Sequence, residues 1–200
     1  MDSVVLQLAL SLLLGYAFGS VPFGLLLTRM TGAGDLRQIG SGNIGATNVL
    51  RTGNKLIAAL TLILDVAKGA APVLIARAYL PGTEPLAAAG AFFGHLYPVW
   101  LRFSGGKGVA TYGGIIAGLC GLEGGLAYAA VWIAALVIIR ISSVAGLLAA
   151  FAAPIIAYWQ GMPELIALLV ACSLIVFWKH RENIERLIAG TEPRIGSKAK

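Results

Sequence analysis

Charge is what this chain has least of. Only 12% of its 200 residues are charged, against about a quarter in a soluble globular domain. Hydrophobic residues make up 58%, and the mean hydropathy is +0.84. Nine acids and fifteen bases cannot coat a water-soluble body of this size. Disorder is excluded from the other side, by the abundance of Leu, Ala, Ile and Val. The two cysteines, Cys120 and Cys172, lie inside apolar runs, which excludes a disulfide scaffold and reads as packing. No His, Cys, Asp or Glu cluster has metal-ligand spacing, so neither a metal nor another cofactor is expected. There is no Gly-x-Ser-x-Gly elbow. Five residues beyond His95 stands Trp100, and five beyond His180 stands Glu185, so the His-x4-Asp dyad of soluble acyltransferases is also missing. The net charge of +6 forms no basic stripe with interleaved aromatics, and nucleic acid is not an expected partner. What remains is an all-α polytopic membrane protein with membrane lipids as its surroundings.

A bilayer-crossing helix needs about 20 mostly apolar residues. The pattern predicts spans near Val4–Leu27, Leu56–Leu80, Leu86–Leu101, Val109–Gly121, Gly124–Ile139, Val144–Tyr158 and Leu165–Trp178, about seven in all. The first is too long for a signal-peptide core and lacks a basic leader, Asp2 being its only flanking charge. With the N-terminus outside, thirteen of the fifteen bases fall on inner segments: Arg29, Arg37, Arg51, Lys55, Arg102, Lys107, Arg140, Lys179, Arg181, Arg186, Arg194, Lys198 and Lys200. Lys68 and Arg77 lie within the second span, and the outer segments carry Asp2, Glu84, Glu123 and Glu164 without a base. The positive-inside rule therefore selects N-out, C-in. Many of the 26 glycines sit in or beside spans, as at Gly114 and Gly118, where small residues let helix backbones approach. Residues 1–193 read as a single integral-membrane domain and 194–200 as a disordered cytoplasmic tail.

Polar residues gather in three segments, all on the predicted inner face. The first is Gly40-Ser-Gly-Asn-Ile-Gly-Ala-Thr-Asn-Val-Leu-Arg51. Helix from Gly45 onward puts Thr47, Asn48 and Arg51 on one face, and the preceding glycines leave N–H groups that suit an anion. An interfacial connector with a snorkelling arginine is the plainer alternative. Yet Ser41, Asn43, Thr47, Asn48 and Arg51 crowd more hydrogen-bonding groups together than a connector beside hydrocarbon needs. The second is Gly105-Gly106-Lys107-Gly108, whose amides and ammonium can wrap a phosphate. It is no Walker A loop, because Leu101 and Gly108 occupy the ends that such a loop would fill with Gly and Ser or Thr. A flexible inner turn is its plainer reading, and His95 upstream reads as a buried packing histidine near a span centre. The third segment runs from His180 to Glu192, with His180, Asn183 and Leu187 on one face and Glu182 placed to pair with Arg186. Alone it would read as a surface amphipathic helix. Asp65 and Lys68, at i and i+3 within a span, are expected to pair, since single charges there cost about 2.5–3.5 kcal/mol each. The short inner turn at Ser142 and Ser143 adds two hydroxyls for a phosphate.

With these residues assembled, the chain resembles the bacterial acyl-phosphate-dependent glycerol-3-phosphate acyltransferases, the PlsY family. The resemblance runs through Gly40–Asn48 with Arg51, then Gly94-His95, Pro98 and Gly105–Thr111, then His180, Asn183, Arg186, Gly190 and Glu192, in order, with Asp65-x-x-Lys68-Gly69 between the first two. It implies acyl transfer from acyl phosphate to the 1-hydroxyl of sn-glycerol 3-phosphate at the inner face of the bacterial cytoplasmic membrane. The products would be lysophosphatidic acid and phosphate, on the way to phospholipids. It implies no metal or other cofactor, with glycerol 3-phosphate, acyl phosphate and the enzyme that makes acyl phosphate as partners. Carried over, Ser41, Arg51, His180 and Asn183 serve catalysis. Asn43, Thr47, Asn48, Gly105–Gly108, Ser142 and Ser143 hold phosphate, while Asp65, Lys68, His95 and Glu192 support the site. A small transporter of an anionic metabolite is the alternative, although alternating access needs polar groups on both faces. A CDP-alcohol phosphotransferase lacks its aspartate-rich motif here.

Overall fold

A computed structural model describes residues 2–196, omitting the Asp2 side chain. Among them every regular element is helical. The ten α-helices are α1 (Asp2–Gly19), α2 (Phe23–Met30), α3 (Ala46–Leu50), α4 (Lys55–Tyr79), α5 (Glu84–Leu96), α6 (Val109–Leu119), α7 (Gly121–Ile139), α8 (Ser142–Trp159), α9 (Ile166–Lys179) and α10 (Arg181–Ile188). They fall into two compact units, Met1–Leu119 and Cys120–Lys200. By length and composition four stretches can cross a membrane: Ser3–Met30, Lys55–Tyr79, Gly121–Ile139 and Ser142–Trp159. A fifth arises if Pro163–Lys179 and Arg181–Ile188, bent by 58°, count as one. The helices at the third and fourth expected spans are shorter, with 13 and 11 residues.

The first expected span is two helices rather than one. Pro22 supplies no N–H, and the chain breaks over Ser20–Pro22 before α2 resumes at Phe23. The last expected element also begins differently: His180 caps α10 instead of lying within it. Of the expected tail, Ile195 N donates to Arg140 O at 2.7 Å. Residues 197–200 lie outside the described residues.

In the first unit, α1 packs along α5 and α4 along α6. Glycines set both approaches. Gly15 and Gly19 of α1 face Ala87 and Ala91 of α5, and a Cβ on either would strike the α5 carbonyls. Gly90 and Gly94 return the arrangement against Leu12, Tyr16 and Ser20. Gly114 and Gly118 press on Val66, Ala70 and Val73 of α4, while Gly69 meets Thr111 O. Two helices with small residues four apart on both partners can bring their backbones together, which is the main source of helix attraction in lipid. Polar ties close the ends of the first pair: Ser11 Oγ donates to Thr83 O at 3.0 Å and Tyr16 Oη to Tyr97 O at 2.8 Å. In the second unit α8 packs between α7 and α9, with Ser173 Oγ of α9 donating to Ala150 O of α8 at 2.6 Å.

Backbone-to-backbone approach leaves no room for a branched side chain, and overpacking of this kind costs about 1–3 kcal/mol or more. Gly15→Val and Gly90→Val should each lower the melting temperature of the detergent-solubilised protein by several degrees, whereas Leu13→Val, at a position 63% exposed, should leave it in place.

Candidate functional site

The first polar segment folds around one side chain. Asn48 is buried in α3, and its Nδ2 donates to the carbonyls of Leu36, Ile39 and Asn43 at 3.0, 2.9 and 2.8 Å. Its Oδ1 accepts from Ser41 N at 3.2 Å and Ser41 Oγ at 3.4 Å. Asn43 Oδ1 accepts from Gly45 N at 3.0 Å and so shapes the turn into α3. These two amides are spent on the loop itself, while the exposed Ser41 is held by the loop they organise. Arg51 caps the other end of α3 and folds back over Gly40. A Cβ at Gly40 would fall 2.5 Å from Asn48 Oδ1 and 2.7 Å from Arg51 Cδ and Nη1, and its φ of +55° also favours glycine. Ser41, Asn48 and Arg51 therefore gather at one turn, with the side chain of the exposed Arg51 against Gly40, the residue before the serine. Thr47 is half-buried on the same short helix. Beneath them Leu25, Leu36, Ile44, Val49, Ile57 and Ala58 form a small apolar core.

A carboxylate–guanidinium pair brackets this loop. Asp35 accepts from Arg37 Nη2 at 2.6 Å and Arg37 Nε at 3.0 Å, and its Oδ1 also accepts from the Arg37 amide at 3.0 Å. The Arg37 side-chain hydrogen bond foremost, and its amide next, hold the Asp35 carboxyl far below the usual carboxylate range. Sequence reading did not single out this pair, although Asp-x-Arg spacing at a turn is a visible signal.

The glycine loop lies on the end of α5. Gly105 N donates to Leu96 O and Gly106 N to His95 O, each at 3.1 Å. Gly106 sits on the buried His95 imidazole so closely that a Cβ would collide with Nε2. His95 is thus in the last turn of α5 under the loop, not near a span centre, because α5 ends at Leu96. Gly108, at φ +88°, turns the chain into α6 against Phe92 and Leu96. Lys107 is half-buried between these glycines. Just upstream, Arg102 and Phe103 both adopt left-handed φ, of 51° and 61°, a conformation that costs non-glycine residues roughly 1–2 kcal/mol each.

Asp65 and Lys68 are both 3% exposed and pair at 2.7 Å between Oδ1 and Nζ. Lys68 Nζ also donates to Val21 O at 2.7 Å.

In the second unit Glu192 is the hub of the third segment. Its Oε1 accepts from Ser143 Oγ and from Asn183 Nδ2, both at 2.6 Å, and its Oε2 from Arg186 Nε at 2.7 Å. Arg186 therefore pairs with Glu192 rather than with Glu182, which lies 3.7 Å from Arg181 instead. The reason is burial: the Glu192 side chain is 6% exposed and that of Glu182 69% exposed. Burial alone would raise the Glu192 carboxyl, but the hydrogen bonds from Ser143, Asn183 and Arg186 outweigh it and hold the group below its ordinary value. Ser142, half-buried, opens α8 next to Ser143. His180 is buried at the α9–α10 bend, with Nδ1 2.8 Å from Val176 O. A carbonyl only accepts, so Nδ1 carries the proton and the neutral ring's basic nitrogen is Nε2. Among the described residues no three His, Cys, Asp or Glu side chains are grouped to hold a metal ion.

A folded-state value below the unfolded one means that the Glu192 clamp stabilises fully above about pH 4.5, the ordinary glutamate value, and is lost as pH falls through the folded value. Wild type should lose melting temperature as pH falls below about 4.5, and Glu192→Gln should lack that component. At neutral pH Glu192→Ala leaves the buried Ser143 and Asn183 donors unmatched, at about 1–3 kcal/mol each.

Comparison with known proteins places this arrangement. Residues 9–190 match the family model described as glycerol-3-phosphate acyltransferase. A glycerol-3-phosphate acyltransferase of Agrobacterium fabrum is 59% identical over 194 residues, covering 96% of this chain and 93% of the relative. Those of Erythrobacter litoralis and Mesorhizobium japonicum are 58% and 57% identical, covering 95% and 96% of this chain and 96% and 97% of the relatives. Among solved structures, PlsY (YgiH), described as an integral membrane glycerol 3-phosphate acyltransferase, superposes in its glycerol 3-phosphate form with a TM-score of 0.85. That form is 33% identical, covering 97% of this chain and 96% of the other; the lysophosphatidic acid form gives 0.84 at 32% identity. The match in sequence and in fold runs along nearly the whole of this all-helical chain, and it belongs to the glycerol-3-phosphate acyltransferase family.

Proposed function

We propose that this chain transfers a fatty acyl group from acyl phosphate to the 1-hydroxyl of glycerol 3-phosphate, releasing lysophosphatidic acid and inorganic phosphate. The observation that carries the reading is the Ser41–Asn48–Arg51 constellation, within a chain that matches glycerol-3-phosphate acyltransferases along nearly its full length. The transporter alternative finds no support in that match. In the proposed topology about seven helical passes place the N-terminus outside and the three polar segments at the cytoplasmic face of the inner membrane. The broken α1–α2 stretch and the short α5 and α6 suit a bundle whose passes are bent or tilted. The enzyme that makes acyl phosphate is the natural partner, since its product is poorly soluble and labile.

Acyl phosphate is a mixed anhydride. The acceptor oxygen forms a bond to the acyl carbonyl carbon, the carbon–oxygen bond to phosphate breaks, and the hydroxyl proton ends on phosphate or on a side chain. With so good a leaving group, positioning and charge neutralisation dominate. Arg51, an exposed fork lying against Gly40, suits bidentate grip of one phosphate. Lys107, with the amides of its glycine loop, suits the other. Ser41 orients a substrate oxygen. Asn43 and Asn48, whose amides are committed to the loop, act by holding Ser41 in place. In the same way Ser143 and Asn183 act through Glu192. His180, with Nε2 as its basic nitrogen, is one proton acceptor; a substrate phosphate with a second pKa near 6 is the other. No side chain forms an acyl-enzyme.

Purified protein given palmitoyl phosphate should release phosphate only when glycerol 3-phosphate is present, and should be silent with palmitoyl-CoA. Turnover on the CoA donor, or release independent of the acceptor, would overturn the reading. Arg51→Lys should lose about a hundredfold in turnover, because a point charge cannot replace a fork. His180→Ala separates the two proton acceptors: a loss near a thousandfold assigns the histidine, and a loss near tenfold assigns the phosphate.

A further inference from the structure

The break in the first apolar stretch is held more firmly than a connector requires. Between α1 and α2 the carbonyls of Ser20 and Val21 lie outside either helix. Each receives a side-chain donor from a different part of the first unit. Lys68 Nζ of α4 donates to Val21 O at 2.7 Å, with its charge matched by Asp65 and its ammonium 5.7 Å from the Phe23 ring centroid. Trp100 Nε1 donates to Ser20 O at 2.7 Å. Tyr16, one turn before the break, adds a third tie: its hydroxyl donates to Tyr97 O and accepts from Val99 N at 3.0 Å.

These ties reach both phosphate-handling loops of this unit. Tyr97, Val99 and Trp100 belong to the segment that runs directly into Gly105–Gly108. On the other side, α2 carries Gly24 against Ile44 O, where a Cβ would collide, and Leu25 in the core beneath Ser41 and Arg51. Leu101, next to Trp100, packs on that same core. One short break thus touches the Ser41–Arg51 loop through α2 and the glycine loop through Trp100.

We propose that the Ser20–Pro22 break sets the spacing of the two loops, and that Lys68 and Trp100, which hold its carbonyls, are positioning residues for the transfer reaction. If Arg51 and Lys107 each hold a phosphate, acceptor and donor approach correctly only when the loops keep their separation. Misplacement by about an ångström costs on the order of a hundredfold in such reactions. The inference rests on the acyltransferase reading, and wild-type turnover measured in parallel shows whether that reading stands.

The test is a mutant cycle on the solubilised full chain. Asp65→Asn/Lys68→Met removes both charges together, so no unpaired buried ion is left, and deletes the donor to Val21. Trp100→Phe deletes the donor to Ser20 and keeps an aromatic ring, at the loss of some packing by a side chain that is 55% exposed. Each should lower kcat/KM for glycerol 3-phosphate about tenfold while the melting temperature stays within a few degrees of wild type. Because both act on one break, the combined variant should lose no more than about the larger single effect. Full activity of either variant, or losses that multiply, would overturn the proposal. So would losses that follow the melting temperature. If the charge-free pair does not fold, Trp100→Phe decides alone, its melting temperature reporting whatever packing the smaller ring loses at this 55% exposed position.

Discussion

An apolar medium gives a backbone or side-chain polar group no water to fall back on, so each must find its partner within the chain. In the first polar segment that partner is one amide: Asn48 collects three carbonyls and two groups of Ser41, and the loop has no other side chain making so many bonds. In the glycine loop the partners are the carbonyls of His95 and Leu96, freed where α5 ends. In the third segment the partner is the carboxylate of Glu192. A division of labour follows. Asn48 and Glu192 are spent on the fold, whereas Arg51 is exposed at the loop that Asn48 organises.

Glycine spacing supplies the rigidity behind that division. With Gly15, Gly19, Gly90 and Gly94 interleaved, α1 and α5 meet backbone to backbone, and Gly106 lets its loop settle on the His95 ring. A site that works by positioning two phosphates needs supports of this stiffness, because it has no strong nucleophile to compensate for poor alignment.

Much of this was legible in the residues. Low charge and long apolar runs announced the helices, and the i, i+3 spacing of Asp65 and Lys68 announced their ion pair. The Gly114–Gly118 spacing announced close packing. The three polar segments were visible as departures from an otherwise apolar chain. Other features depend on distance in three dimensions. Glu192 reaches Ser143, 49 residues earlier, and no local rule prefers that over the Glu182–Arg186 pair at helical spacing. The break at Ser20–Pro22 was hidden because a proline within an apolar run is tolerated in membrane helices. His95 was misplaced because the chain after Leu96 stays apolar through Leu101 although the helix has already ended.

The division of labour between fold and substrate is tested most directly by melting temperature set against turnover in two alanine variants. Asn48→Ala should lower both, since it leaves three carbonyls and Ser41 without their partner. Arg51→Ala should abolish turnover at an unchanged melting temperature. An Asn48→Ala protein that melts like wild type, or an Arg51→Ala protein that melts early, would contradict the account.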